Sequence, residues 1–527
     1  MSVVVSNPIL PGFFPDPSIC AVGEDFYIVN STFAYFPGLV ILHSKDLAHW
    51  EQIGNVLTRE SQLPLMNAGH SQGLFAPTIR YHEGTYYVIC TNVSYGGNFV
   101  VTAKNPEGPW SDPYYLEGAD GIDPSLFFDD DGKCYYIGTH PNKEGCRYNG
   151  DYFIWIQELD LNTMKLVGEK KDVWNGAMRN ICWPEGPHIY KKGDYYYIMH
   201  AEGGTGPEHA VTVCRSKNIW GPYENNFCNP ILTHRHLGKD YPIKYVGHGD
   251  LVETVNGEWY MVMLAVRPKE TYTTMGRETF LAKVTWENNW PVVNPGVGIL
   301  TDELVIDLDE YDPCNDPDSY TNRTNRKTAV PGSSRVYDFT TMTEIGDEFM
   351  ALRKPVDNIA RVVEGEGLAL KLKTEKFGER TVPSYLSVRQ QHHVFTSEVV
   401  VDRKSLTDGS EAGIVYLQND AFYLKAVTDN KNTVTVALCE KGQENVLAIF
   451  DVAGDEARIA ISIKDLKATV AVKSPYGKVL AQKENIDIRA LSTEVAGGFV
   501  GCTIGVYAAA TKDEGKEAVI KSFSYEF

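Results

Sequence analysis

Five times along its 527 residues this chain runs a Gly- or Asp-rich turn into a short strand carrying tyrosine. The strands read Asp25-Phe26-Tyr27-Ile28, Thr85-Tyr86-Tyr87-Val88, Cys134-Tyr135-Tyr136-Ile137, Tyr195-Tyr196-Tyr197-Ile198 and Glu258-Trp259-Tyr260-Met261. About twelve positions upstream of Tyr27, Tyr87, Tyr136, Tyr197 and Tyr260 stand Asp16, Phe75/Ala76, Asp123, Glu185 and His248. An all-strand repeat of roughly 50–60 residues is the mark of blades set around an axis. Matching positions in successive blades then face one central channel, where three carboxylates and a histidine are expected to converge.

A second strand, ending in a turn, follows each tyrosine strand: Val40–Leu47, Phe99–Lys104, Phe153–Glu158, Val211–Lys217 and Phe280–Val284. Trp50, Trp110, Trp220 and Trp286 follow four of these. An ordinary antiparallel meander would account for any one unit, but five matched units favour closure into a five-bladed β-propeller over residues 1–305. From Asp302 to about Ser334 the text turns to Asp, Asn, Pro and Thr, giving a linker or ordered connection over 306–335. Beyond it, short alternating strands such as Leu368–Leu372, Ser397–Val401, Ile414–Leu417 and Ala457–Ile461 predict a β-sandwich over 336–527. The expected fold class is all-β, a propeller followed by a sandwich.

The composition, 43% hydrophobic and 22% charged, is that of a chain able to bury large cores. A net charge of −20 argues against nucleic acid and anionic membrane surfaces as partners, and suits a neutral substrate. No apolar run approaches the roughly 18 residues needed to cross a bilayer. The opening Met1-Ser2-Val3-Val4-Val5 carries no basic region or extended apolar core, and the ten scattered cysteines form no CxxC pair. Both point to cytoplasmic residence with reduced thiols. A homo-oligomer stays open.

Phe14-Pro15-Asp16-Pro17-Ser18 and Gly121-Ile122-Asp123-Pro124-Ser125 share an Asp-Pro-Ser frame, and Glu185 sits in a Pro-bounded frame of its own. Asp-Pro alone is a common turn initiator. Three acids at matched blade positions are a different matter, because a carboxylate lining a narrow channel is costly to desolvate. Such a trio fits glycoside hydrolysis: an ionised carboxylate to deprotonate water, a protonated one to donate to the leaving oxygen, and a neighbouring charge to keep the donor protonated.

These motifs resemble the three acidic motifs of glycoside hydrolase family 43. His43-Ser44-Lys45-Asp46-Leu47, Val246-Gly247-His248-Gly249-Asp250 and Gly276-Arg277-Glu278-Thr279-Phe280 are also similar to that family. Arg389-Gln390-Gln391 and Gly497-Gly498-Phe499 resemble the C-terminal sandwich of its β-xylosidases. The resemblance implies Asp16 as general base, Asp123 as pKa modulator and Glu185 as general acid of an inverting hydrolysis. It implies Arg267 as the arginine beside the site, binding a sugar hydroxyl and keeping Asp123 ionised. Phe33, Phe36 and Phe75 are candidates to stack on the sugar, Phe75 standing where many members carry Trp. For His248 two readings stay open: a hydrogen-bonded channel histidine, or a ligand to calcium (or another divalent cation) held partly through waters. Phe499, glycine-flanked, resembles the loop that closes the pocket in related β-xylosidases, which would make the sandwich part of the active site.

The expected activity is exo-cleavage of D-xylose from short β-1,4-xylooligosaccharides, with α-L-arabinofuranosidase activity as companion or as the principal alternative. A glycoside phosphorylase would replace the base with basic residues for phosphate, and Asp16 is intact. A non-catalytic carbohydrate-binding propeller would be expected to lose an acid, and none is lost.

Overall fold

The computed structural model describes residues 2–326 and 330–527. Among these, five four-stranded antiparallel sheets follow one another as the blades of a propeller. Their innermost strands are Ser18–Val22, Thr78–His82, Ile122–Phe128, Glu185–Lys192 and Lys244–Glu253. The tyrosine-bearing segments form the second strands, Asp25–Asn30, Thr85–Asn92, Cys134–Pro141, Tyr195–Glu202 and Trp259–Val266. Tyr27, Tyr87, Tyr197 and Tyr260 are largely buried between blades, where an aromatic ring fills the wedge-shaped gap that radiating sheets leave. Trp50 and Trp110 close the outer ends of two blades, their indole N–H groups donating to the carbonyls of Leu47 (3.0 Å) and Pro106 (3.2 Å). The ring is closed by a two-stranded sheet in which Val3–Ser6 pairs antiparallel with Glu303–Ile306.

The described part of the connection up to residue 326 packs on blade one. Tyr311 and the short helix Tyr320–Arg323 both bond the buried carboxylate of Glu51, through Tyr311 Oη (2.7 Å) and the Thr321 amide (2.7 Å). Two eight-stranded sheets then pack face to face. Their shared core is aliphatic and aromatic, with Leu386, Ile414 and Tyr416 from one sheet meeting Val399, Ile459 and Phe523 from the other.

The sandwich is not self-contained. The edge of its second sheet is completed by Tyr35–Phe36 from blade one, pairing with Ala351 and Leu352. Arg353, fully buried, continues this seam: its amide bonds the Ala34 carbonyl (2.8 Å), and its guanidinium bonds the carbonyls of Ala68 and Thr381 (both 2.7 Å) and pairs with Asp420. Phe36 therefore belongs to the seam and the blade core, not to a sugar pocket.

Candidate active site

The inner strands do not begin as regular strands. Register shifts separate Ile122 from Ser125, Glu185 from His188 and Gly247 from Asp250. At these bulges, and at Asp16 ahead of an unbroken pairing in blade one, the backbone is left-handed: φ is 51° at Asp16, 53° at Asp123, 58° at Gly186 and 52° at His248. Left-handed backbone is uncommon outside glycine and concentrates at functional sites, and a bulge re-aims a side chain that a regular pleat would send elsewhere. Strand pairing makes Ser18, Thr78, Ser125, His188 and Asp250 equivalent, opposite Val29, Ile89, Ile137, Met199 and Val262. Two residues earlier the equivalent positions are Asp16, Ala76, Asp123, Gly186 and His248. Glu185 is thus one position out of register with the other two acids. Glycine takes its place in the ring because His248 packs there: a Cβ on Gly186 would lie 2.8 Å from the imidazole.

The second ring is a polar plug on the axis. Asp250 accepts from Ser18 Oγ (2.6 Å), Tyr190 Oη (2.6 Å) and both Nη atoms of Arg80 (2.8 and 3.0 Å). Arg80 also contacts His188 Nδ1 (3.0 Å), which contacts Ser125 Oγ (3.0 Å). This hydrogen-bonded layer closes the channel beneath the acids and ties all five inner strands together; within it the buried His188 Nε2 has no partner.

Above it opens a cavity of about 580 Å³, well within the range of small-ligand pockets. Its lining includes Asp16, Asp123, Glu185, His248, Phe33, Phe75 and Phe499. Asp16 accepts from Ser31 Oγ (2.7 Å) and pairs with Arg277. Asp123 is pushed up to about 6, first by burial and then by the charge of Asp16, while His248, the Gly186 amide and Arg277 pull the other way. Glu185 is held well above the usual carboxyl range by burial and by the charges of Asp123 and Asp16. Part of its surface faces the open cavity. The three acids therefore sit in unlike surroundings: Asp16 is bonded on both oxygens, Asp123 is buried between opposing charges, and Glu185, open to the cavity, is pushed upward by burial and its two acidic neighbours.

Arg267 does not reach this cavity. It forms a two-pronged pair with Glu278 (2.8 Å to each oxygen), which also accepts from the Gly12 amide (2.8 Å). Arg277 stands in its place, bonded to Asp16 and lying 5.6 Å from the ring centre of Phe33 and 5.8 Å from that of Phe499. Both arginines flank one hairpin of blade five, and the buried Glu278 captures the first. Tyr152, Trp183 and the loop Gly203-Gly204-Thr205-Gly206-Pro207 line the opposite wall and were not anticipated from the sequence. The glycine-rich loop was the available signal.

Phe33, Phe75 and Phe499 form one aromatic cluster, with ring centres 5.6–6.2 Å apart. Phe499 arrives from the sandwich on a loop whose Gly497 and Gly498 have φ of 75° and 85°. Its amide bonds Ser71 Oγ (2.9 Å), and a Cβ on Gly498 would lie 2.3 Å from that oxygen. The sandwich thus supplies one wall of the pocket.

His248 lies near the imidazoles of His188 and His209, both depressed to about 3 chiefly by burial. Among the described residues no group of three or more His, Cys, Asp or Glu side chains is arranged to hold a metal. Beside His248 the charged neighbour is the Asp123 carboxyl, fewer protein oxygens than calcium usually takes, and no step below runs through a metal.

Residues 5–291 match the family described as glycosyl hydrolases family 43, and residues 336–526 match the β-xylosidase C-terminal concanavalin A-like domain. Over 96% of both chains the protein is 50% identical to a xylosidase/arabinosidase of Butyrivibrio fibrisolvens. It is 38% identical to a non-reducing end α-L-arabinofuranosidase of Bacteroides ovatus, over 95% of this chain and 90% of that one. The structure superposes with a TM-score of 0.88 on a xylan β-1,4-xylosidase from Bacillus halodurans at 32% identity, covering 99% of this chain and all of the other. With its bulged acids, its plugged channel and a pocket walled by both domains, the chain belongs to glycosyl hydrolases family 43.

Proposed function

We propose that this glycoside hydrolase releases D-xylose from the non-reducing end of short β-1,4-xylooligosaccharides with inversion at the anomeric carbon. The observation that carries it is the pairing of a braced Asp16 with a proton-holding Glu185 across one blind pocket. Asp16 removes a proton from water as its oxygen attacks C1. Glu185 gives its proton to the glycosidic oxygen as the C1–O bond breaks, and Asp123 holds that proton on Glu185 until then. The polar plug below and Phe499 above leave room for a chain end and not for a polymer running through, which supports exo action.

A second reading, principal action on terminal α-L-arabinofuranosyl groups, is supported by the names of the relatives, which carry both sugars. Cytoplasmic residence is part of the same proposal, supported by ten free thiols, six of them buried. Side-by-side rates on aryl β-D-xyloside and aryl α-L-arabinofuranoside test the assignment, and activity on neither overturns it. A chelator in the same assay is expected to leave the rate unchanged; a fall would restore a cation at His248.

A further inference from the structure

The pocket has two unlike walls. On the side of Asp16 the phenyl rings of Phe33, Phe75 and Phe499 crowd together. On the side of Glu185 the lining is Tyr152, Trp183 and the small residues from Gly203 to Pro207. Trp183 comes two positions before Glu185, on the segment that delivers the acid. The acid must touch the oxygen that joins the retained sugar to the departing one, so what flanks it borders the departing ring. Phe33 is 2% exposed and deep, whereas Trp183 is partly open to the cavity.

The chain accepts an unusual backbone to put the indole there. Trp183 has φ of 48°, a left-handed conformation that a bulky residue rarely adopts. Its amide is tied to the Gly150 carbonyl (2.8 Å), and the next turn is tied by Gly203 N to the Cys182 carbonyl (2.9 Å). The indole is seated against two glycines. A Cβ on Gly204 would stand 2.7 Å from Cε3, and one on Gly150 would stand 2.9 Å from Cδ2. Neither position tolerates a side chain without pushing the ring off its seat. Packed on glycine and lining the cavity, the indole is the one large apolar side chain beside the acid on a wall whose other residues, Tyr152 apart, are small.

We propose that Trp183 is the platform for the leaving-group sugar, a subsite distinct from the phenylalanine cluster that borders the retained one. The proposal rests on the hydrolase reading above but not on which pentose is retained. Trp183→Gly removes the ring while preserving a residue that adopts positive φ freely, and Trp183→Phe keeps a ring. The substrates are xylobiose, whose leaving group is a sugar, and β-D-xylopyranosyl fluoride, whose leaving group has no ring. Trp183→Gly is expected to lose about 10- to 100-fold in kcat/KM on xylobiose, the worth of one buried ring, and at least ten-fold less on the fluoride. Trp183→Phe is expected to recover most of the xylobiose loss. Equal losses on both substrates, or no loss on xylobiose, overturn the proposal. If the wild type turns over neither, the xylosidase reading is the one that fails. The same variants are then compared on aryl and methyl α-L-arabinofuranosides, where a selective loss on the aryl substrate is expected and equal losses overturn the platform.

Discussion

Arg277 and Asp16 stand 261 positions apart in the chain and meet as a partly buried ion pair in the pocket. The carbonyl of Arg277 also accepts the Phe14 amide (3.1 Å), and the guanidinium lies beside the stacked rings of Phe33 and Phe499. Blade one, blade five and the sandwich loop are therefore registered against one cation. That cation also lowers the proton affinity of Glu185, against the larger upward push of burial and the two aspartates.

Arg277→Ala is expected to cost about 10- to 100-fold in kcat/KM, the usual worth of a hydrogen bond to a charged partner. Its direction on pH is distinctive. Removing the cation raises Glu185 further, so the alkaline limb of kcat moves to higher pH. A limb that stays in place would show that Arg277 acts on Asp16 alone.

Asp123→Asn moves the same limb the other way. Above about pH 6 Asp123 is charged and helps hold the proton on Glu185; the amide has no charge, so Glu185 ionises earlier. Full activity with an unmoved limb would reduce Asp123 to a turn residue.

Stability should report on Asp123 as well. Its folded value of about 6 exceeds the ordinary 3.8, so its ionisation costs the folded state stability. The cost is absent below the ordinary value and fully present above the folded one. Asp123→Asn should therefore unfold about 1–3 °C above the wild type at neutral pH and gain nothing near pH 4. A gain of equal size at both pH values would trace it to packing instead of charge.

Asp16→Ala and Glu185→Ala should each lose about 10²–10⁴ in kcat on natural substrates while folding normally. The two separate by leaving group. A good leaving group needs no proton, so it should rescue Glu185→Ala in part and Asp16→Ala not at all. Equal losses on activated and unactivated xylosides would remove the acid assignment.

Arg353→Ala should destabilise the whole protein by about 3–5 kcal/mol, because the Ala68 and Thr381 carbonyls and the largely covered Asp420 lose its guanidinium together, only His70 remaining beside that carboxylate. Ending the chain near residue 330 should leave an insoluble, inactive propeller, since Tyr35–Phe36 loses its strand partner and the pocket loses Phe499. Denaturant midpoints and activity on xylobiose check both. A soluble, fully active truncation would show that the seam is dispensable.

The architecture and the acids were legible because a repeat exposes equivalent positions: Asp16, Asp123 and His248 do share one ring. Glu185 was found although it stands one place out of register, because its own bulge brings it to the same cavity. The sequence does not distinguish Arg267 from Arg277, for a physical reason. The two stand at the same end of one hairpin, where Ala265 pairs with Glu278, and the choice between them is made by a buried carboxylate whose orientation no spacing encodes. Trp183 lay out of reach for a similar reason. Its role follows from a left-handed backbone and two distant glycines, Gly150 and Gly204, that meet it only in three dimensions.

Asp250 lends itself to a last consequence, about how such a protein can evolve. Repeat architectures ordinarily grow and shrink by copying or dropping whole units. Here the axial carboxylate is shared out: blade one sends Ser18, blade two Arg80 and blade four Tyr190, while blade five supplies Asp250 itself. Deleting a unit would strand a buried charge, and inserting one would spread its partners beyond reach. One side chain thus ties four of the five blades to a fixed arrangement around the axis.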